Sequence, residues 1–175
     1  MDVRQGTNCS FIVIDNINKR KEEKMTNIND LKSIVMLNNL KVSMLEKLSN
    51  ITSIKTYKAN DYIFNEGDDA KNLYAVIEGK VRLEIDKKYV TRISINDIIH
   101  GMAFGFSALV DTEKKCYTTF AKALTDVRLF KWKATDLEAL FNQDFEMGFL
   151  FMKEIAKIIK ARLQIRNIQF LDIYK

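Results

Sequence analysis

The stretch Ile63–Glu84, IFNEGDDAKNLYAVIEGKVRLE, limits what this chain can fold into more than any other segment. Two glycines punctuate it. Gly67 stands in the turn Glu66-Gly67-Asp68-Asp69 and Gly79 in the turn Glu78-Gly79-Lys80. Hairpin turns need positive φ at such positions, which glycine adopts without steric cost. Between them Leu73, Ala75 and Ile77 alternate with Tyr74, Val76 and Glu78, and beyond them Val81, Leu83 and Ile85 alternate with charges. A period of two is that of half-buried strands. Several short strands at regular turns predict a small closed β-roll or barrel.

Helical periodicity frames this stretch. Asn29 or Asp30 is a candidate cap for a short helix carrying Leu31, Ile34 and Val35. A second helix is expected from about Lys41 to Ile51, with Met44, Leu45 and Leu48 on one face. Strands follow from Ser53 to Tyr57 and on to Ile85. A hairpin is expected to turn at Asp86-Lys87-Lys88 and return through Tyr89 to Ile95, with a further turn at Asn96-Asp97. Ile98 to Ala103 leads into Phe104–Leu109, too short and Gly-marked for an ordinary helix. After the polar insert Asp111 to Lys115, strands are expected over Cys116–Ala123 and Val127–Trp132.

Ala134-Thr135-Asp136 opens a helix through Phe141, and a long helix begins near Asp144. One apolar stripe of the long helix holds Phe149, Met152, Ala156, Ile159, Leu163 and Phe170. A neighbouring stripe holds Phe151, Ile155, Ile158 and Ile165. Two stripes need two covering surfaces. The roll supplies one, and the same helix of a second copy, packed as a parallel coiled coil, is the expected other. The expected organisation is a flexible leader over 1–25, the helix pair, roll and short helix over 26–143, and a dimerisation helix over 144–175.

A chain of 175 residues holds one domain with a tail. The formal charge of +5 permits an acidic partner but is too modest, without clustering, for a nucleic-acid footprint. Cys9 and Cys116 lie far apart with no metal-ligand spacing around them. A disulfide scaffold is not expected, and a reducing cytoplasm is the simplest location. The apolar runs Phe11–Ile14 and Met147–Met152 are too short for a signal-peptide core or a membrane span. No nucleophile–base pair, metal cluster or phosphate-binding loop stands out, so an enzyme is the last of the functional readings.

The turn Glu66-Gly67-Asp68-Asp69-Ala70 followed by Tyr74-Ala75-Val76 and Gly79-Lys80-Val81 resembles the first half of a cyclic-nucleotide-binding domain. Further segments match in order: Gly105-Phe106-Ser107-Ala108-Leu109-Val110, then Thr119-Phe120-Ala121-Lys122-Ala123, then Arg162-Leu163-Gln164, Arg166, Gln169-Phe170-Leu171-Asp172 and Tyr174. These are similar to single-domain bacterial members of the Crp/Fnr-like superfamily, over about Leu31 to Lys175. The resemblance implies a mainly β fold with flanking helices: a double-stranded β-helix, or jelly roll, with N-terminal helices and a long C-terminal helix. Relatives of the catabolite-activator type carry a further helix-turn-helix module of ~60 to 80 residues, which enters the major groove. That module is not found before Lys175, so no DNA partner is expected.

A cyclic phosphate needs backbone N–H donors and an arginine that grips its oxygens, and a carboxylate usually receives the ribose hydroxyl. In relatives that bind cAMP or cGMP this reads F-G-E-x-A-L and R-x-A-T-V-x-A. Here Phe104-Gly105 and Ala108-Leu109 are kept, but Phe106 holds the glutamate position and Tyr117 the arginine position. Lys114 or Lys115 offers only a mobile point charge. Loss of a charged partner from a buried phosphate costs about 3–5 kcal/mol, and every 1.4 kcal/mol is about tenfold in affinity.

The expectation is therefore a non-enzymatic regulatory or sensor domain with a degenerate pocket: Gly105, Phe106, Ser107, Ala108, Tyr117, Thr118 and Arg162. Its cofactor is unidentified, with cAMP and cGMP disfavoured. Its expected partners are a second copy and a small-molecule effector, with no DNA and no membrane. Rival readings are a structural interaction module whose pocket is packed solid by Phe106 and Tyr117, or a haem or redox sensor using His100 or Cys116.

Overall fold

The computed structural model describes residues 28–87, 91–110 and 114–173. The expected leader with Cys9, the hairpin tip at Lys88-Tyr89 and much of the polar insert lie outside them. The first helix, α1, is Ile28–Lys32, and a 3-10 turn follows at Val35–Leu37. One helix carrying Leu31, Ile34 and Val35 was expected, and the chain breaks it. Ile34 is extended at φ −84° and ψ 114°, and the Val35 N–H leaves the helix to bond the Gly101 carbonyl at 2.9 Å. Leu31 and Ile34 are buried while Val35 is 60% exposed. Helix α2, Val42–Ile51, buries Met44, Leu45 and Leu48 as expected.

Among the described residues eight strands form two antiparallel sheets: β1 Ser53–Tyr57, β2 Tyr62–Phe64, β3 Asn72–Glu78, β4 Val81–Lys87, β5 Thr91–Ile98, β6 Ala103–Phe104, β7 Phe120–Ala123 and β8 Val127–Lys133. One sheet has the order β1-β8-β3-β6 and the other β2-β7-β4-β5. Helix α3 is Ala134–Gln143 and helix α4 is Phe145–Ile173. This is the jelly roll with flanking helices that the sequence predicts.

The core has two compartments. Between the sheets lie Phe64, Tyr74, Val76, Leu83, Phe104, Tyr117 and Leu129, among others. On the outer face of the first sheet, Leu73, Ala75, Phe130 and Trp132 meet the helices through Leu45, Leu48, Leu137, Met147 and Phe151. Strand β3 is thus buried on both faces, not half-buried as its alternation predicts. Tyr74 and Val76 serve the roll, and Leu73 and Ala75 serve the helices. The Trp132 indole N–H is satisfied by Thr52 Oγ1 at 2.7 Å, whose own hydroxyl donates to the Leu48 carbonyl. Buried polar groups persist only when paired in this way.

Two sequence expectations fail for identifiable reasons. Asn96-Asp97 is not a turn: both residues lie in β5, opposite Leu83 and Arg82. The Asp97 carboxylate accepts from Arg82 Nε at 2.8 Å and lies 2.7 Å from Lys80 Nζ, so a turn-forming residue is held in a strand by charge pairing. Cys116–Ala123 is a strand only over its second half. Its first half pairs with the Gly67 turn, with Tyr117 N–H on the Asp68 carbonyl and Gly67 N–H on the Tyr117 carbonyl. The turns at Gly67 and Gly79 close no hairpin: β3 lies in one sheet and β2 and β4 in the other, so each glycine carries the chain from one sheet to the other. Gly79 has φ +89°, and a Cβ there would sit 2.4 Å from the Asp126 carbonyl oxygen.

Helix α4 starts at Asp144, whose Oδ1 accepts the Met147 N–H at 3.1 Å. Its Met147, Phe151 and Ile155 are buried against the outer compartment. Phe149, Ile159, Leu163 and Ile165 are exposed. The two expected stripes are therefore not cleanly divided: Met152 of the first packs against the outer core, and Ile165 of the second is exposed. Among the described residues no helix is long and apolar enough to cross a membrane.

Candidate functional site

The site begins with a backbone kink. Gly105 adopts φ +85°, and a Cβ there would crowd the Asn72 carbonyl oxygen at 3.0 Å. The kink turns β6 into a 3-10 turn, Phe106–Ala108, whose Ala108 N–H returns to the Gly105 carbonyl. The first N–H groups of such a turn have no partner inside it.

Beside this turn is a cavity of about 340 Å³, at the lower end of small-molecule sites. Six of the seven residues expected from the sequence line it: Gly105, Phe106, Ser107, Tyr117, Thr118 and Arg162. The seventh does not. Ala108 is fully buried in the compartment between the sheets, because the turn's tight period directs it away from the cavity. Phe64, Leu83 and Arg166 also line the wall. Leu83 and Arg166 were legible as an inward strand position and as the arginine one turn after Arg162. Phe64 carried no such signal. Cys116 lies at the rim, free and half-buried.

Tyr117 is 3% exposed and stacks on Phe64 with ring centres 3.7 Å apart. Its ring lines the cavity but its hydroxyl does not serve it. The hydroxyl donates to the Asn72 carbonyl at 2.8 Å and accepts the Asn72 N–H at 3.1 Å. Burial pushes this phenol's pKa up, as it does that of neighbouring Tyr74. A neutral tyrosine, at the position the sequence reading equates with the arginine, therefore stitches β3 to the loop.

Positive charge reaches the cavity from helix α4. The Arg162 guanidinium lies 5.1 Å from the centre of the Phe106 ring, and one of its terminal nitrogens donates to the Ala103 carbonyl at 2.7 Å. Its Nε is buried without a hydrogen-bond partner. Burial first, and then Arg166, pull its pKa down to about 10, so it stays cationic at neutral pH. Lys114 and Lys115, the alternative cations, do not line the cavity, and Lys115 pairs with Glu138 at 3.0 Å. His100 is exposed, with Nδ1 2.7 Å from the Ile77 carbonyl, and also lies outside the lining. Among the described residues no group of three His, Cys, Asp or Glu could hold a metal.

The cyclic nucleotide-binding domain profile matches residues 54–144, from β1 through α3. The cGMP-dependent protein kinase isozyme 1 of Drosophila melanogaster is 26% identical over 137 residues, covering 73% of this chain and 18% of the kinase. This chain therefore spans a minor part of that relative's length. Among solved structures, a Geobacter metallireducens protein assigned as cyclic nucleotide-binding has a TM-score of 0.69 at 24% identity, covering 79% of this chain and 99% of that one. The regulatory subunit of a cAMP-independent protein kinase A from Trypanosoma cruzi, bound to guanosine, has a TM-score of 0.62 at 18% identity, covering 70% of this chain and 43% of that one.

Proposed function

This chain belongs to the cyclic nucleotide-binding domain family, and on that premise we propose that it is a non-enzymatic regulatory or sensor domain that does not take cAMP or cGMP tightly. One observation carries the reading. A cavity lies beside the Gly105 turn, and in the motif register Phe106 takes the place expected of the ribose-binding carboxylate and Tyr117, its hydroxyl engaged by Asn72, that expected of the phosphate-binding arginine. The guanosine-bound kinase regulatory subunit supports the idea that this fold accommodates a ligand other than a cyclic nucleotide. A small-molecule effector in the cytoplasm is the expected input.

Titration calorimetry tests the pocket. Wild-type protein should bind cAMP and cGMP in the millimolar range or not at all, and Phe106→Glu with Tyr117→Arg should gain measurable affinity by restoring both anchors. Micromolar binding by the wild type would sink the reading.

The output we propose is helical. Ile159 and Leu163, of one expected stripe, are exposed on the same helix that reaches the cavity through Arg162. A second copy packed along this stripe would let ligand state shift the helix pair. Sedimentation at tens of micromolar should give a dimer, and Leu163→Glu a monomer, since a charge would enter the seam. A wild-type monomer contradicts the arrangement. With a net charge of +5 on 175 residues, this segment is expected to show no sequence-specific DNA binding and to engage no membrane.

A further inference from the structure

The cavity's walls differ in polarity, and the difference points to the chemistry of an occupant. Its floor is apolar and flat, made of the stacked pair Phe64 and Tyr117 with Leu83 and Phe106. Helix α4 contributes two guanidiniums to the lining, Arg162 and Arg166, one helical turn apart. Among the described residues no carboxylate lines the cavity or pairs with either arginine. Like charges four residues apart on a helix repel and cost stability. A guanidinium whose Nε is out of water without an acceptor costs more. Both penalties are relieved by one event, the arrival of an anionic group between the arginines, which a planar guanidinium can grip through two parallel hydrogen bonds.

We infer that the cavity takes an amphipathic monoanion, a flat apolar body carrying one carboxylate, with the body on the Phe64–Tyr117 floor and the carboxylate held from above by Arg162 and Arg166. The inference rests on the reading that this cavity is a ligand site, and adds what the ligand is. The orientation is opposite to a nucleotide held by its phosphate from the roll. Here the roll contributes only shape and apolar surface, and the charge is read by the helix. The consequence for signalling is direct. An anion drawn between the roll and α4 pulls on the turn that carries Ile159 and Leu163, so occupancy and the placement of the exposed stripe are one equilibrium. Ser107 and Thr118 belong to the same lining.

The test compares indole-3-acetate with its uncharged isostere indole-3-acetamide, with sodium acetate and cAMP as further arms, by calorimetry at constant ionic strength. The expected result is saturable 1:1 binding of indole-3-acetate, at least tenfold tighter than the amide and than acetate. The preference for acid over amide should vanish in Arg162→Gln with Arg166→Gln. If the double variant unfolds early, Arg166→Gln alone, at an exposed position, should still reduce the preference several-fold. Equal binding of acid and amide overturns the anionic class while leaving a ligand-binding domain in place. Acetate as strong as indole-3-acetate overturns the apolar floor, and a preference that survives both substitutions overturns the arginine wall. No binding of either indole overturns the inference outright. Micromolar cAMP binding instead strikes the underlying reading of the pocket.

Discussion

The floor of the cavity and the helix above it treat their polar groups in opposite ways. The floor keeps the backbone: Gly105 at φ +85°, the 3-10 turn after it, and the segment at Tyr117 placed across from it. Yet its polar capacity is turned inward, with the Tyr117 hydroxyl engaged by both backbone groups of Asn72. On helix α4 the satisfaction is only partial, since the Arg162 guanidinium donates to the Ala103 carbonyl from a terminal nitrogen alone. Arg162 keeps a buried Nε without a partner and sits over Phe106. The contrast teaches that pocket shape and pocket charge are separable. Shape follows from a glycine conformation and a sheet register that many residues enforce together. Charge rests on one or two side chains and moves with a single substitution.

The largest expected effect concerns how firmly the charged wall is anchored. Phe151 is fully buried between α4, Phe141 and the outer core. Phe151→Ala should cost about 3–5 kcal/mol in chemical denaturation, whereas Phe149→Ala, at a side chain 67% exposed, should stay within about 0.5 kcal/mol. Equal losses would mean that the exposed stripe is covered in solution, and would tie the helix to a partner rather than to its own roll.

A smaller effect separates floor from ligand site. Tyr117→Phe keeps the stack on Phe64 but leaves the Asn72 backbone unpaired, at a cost of about 1–2 kcal/mol. Ligand affinity should change little, because the hydroxyl faces away from the cavity. A large loss of affinity with unchanged stability would return Tyr117 to a direct ligand role and break the comparison.

The smallest effect lies in the β4–β5 hairpin. Hydrogen bonds from Arg82, then from Lys80, hold the Asp97 carboxyl at about 2, against about 3.9 for an unfolded aspartate. A depressed folded pKa means the pairing supports the fold above about pH 4. That support is lost as pH falls from there through about 2. Amide exchange in β4 and β5 should rise over this window and be screened by salt, while exchange around Gly105 does not. Asp97→Asn should flatten the acid response. An unchanged response in that variant would place the acid sensitivity elsewhere.

Much of this was open to reading before any fold was in view. The alternation in Leu73–Ile77 and the turn glycines Gly67 and Gly79 marked the strands, and counting back from Ala123 put Tyr117 at the arginine position. The misreadings share one cause. Asn96-Asp97 reads as a turn by local preference, and Arg82 and Lys80, distant in sequence, override it. Val35 reads as part of a helix until a carbonyl from Gly101 takes its N–H. Alternation in β3 signals one buried face and stays silent about what covers the other.

The sequence by itself determined the order of elements and the kink at Gly105, because periodicity and glycine conformation are local properties of the chain. Only the tertiary structure decided that the Tyr117 hydroxyl turns to Asn72, that Ala108 faces the core rather than the cavity, and that Arg162 lies over Phe106 with its Nε buried. Those facts depend on which groups, 45 or 59 residues apart, meet across the roll, and hydrogen bonding and desolvation act on distance in space, not along the chain.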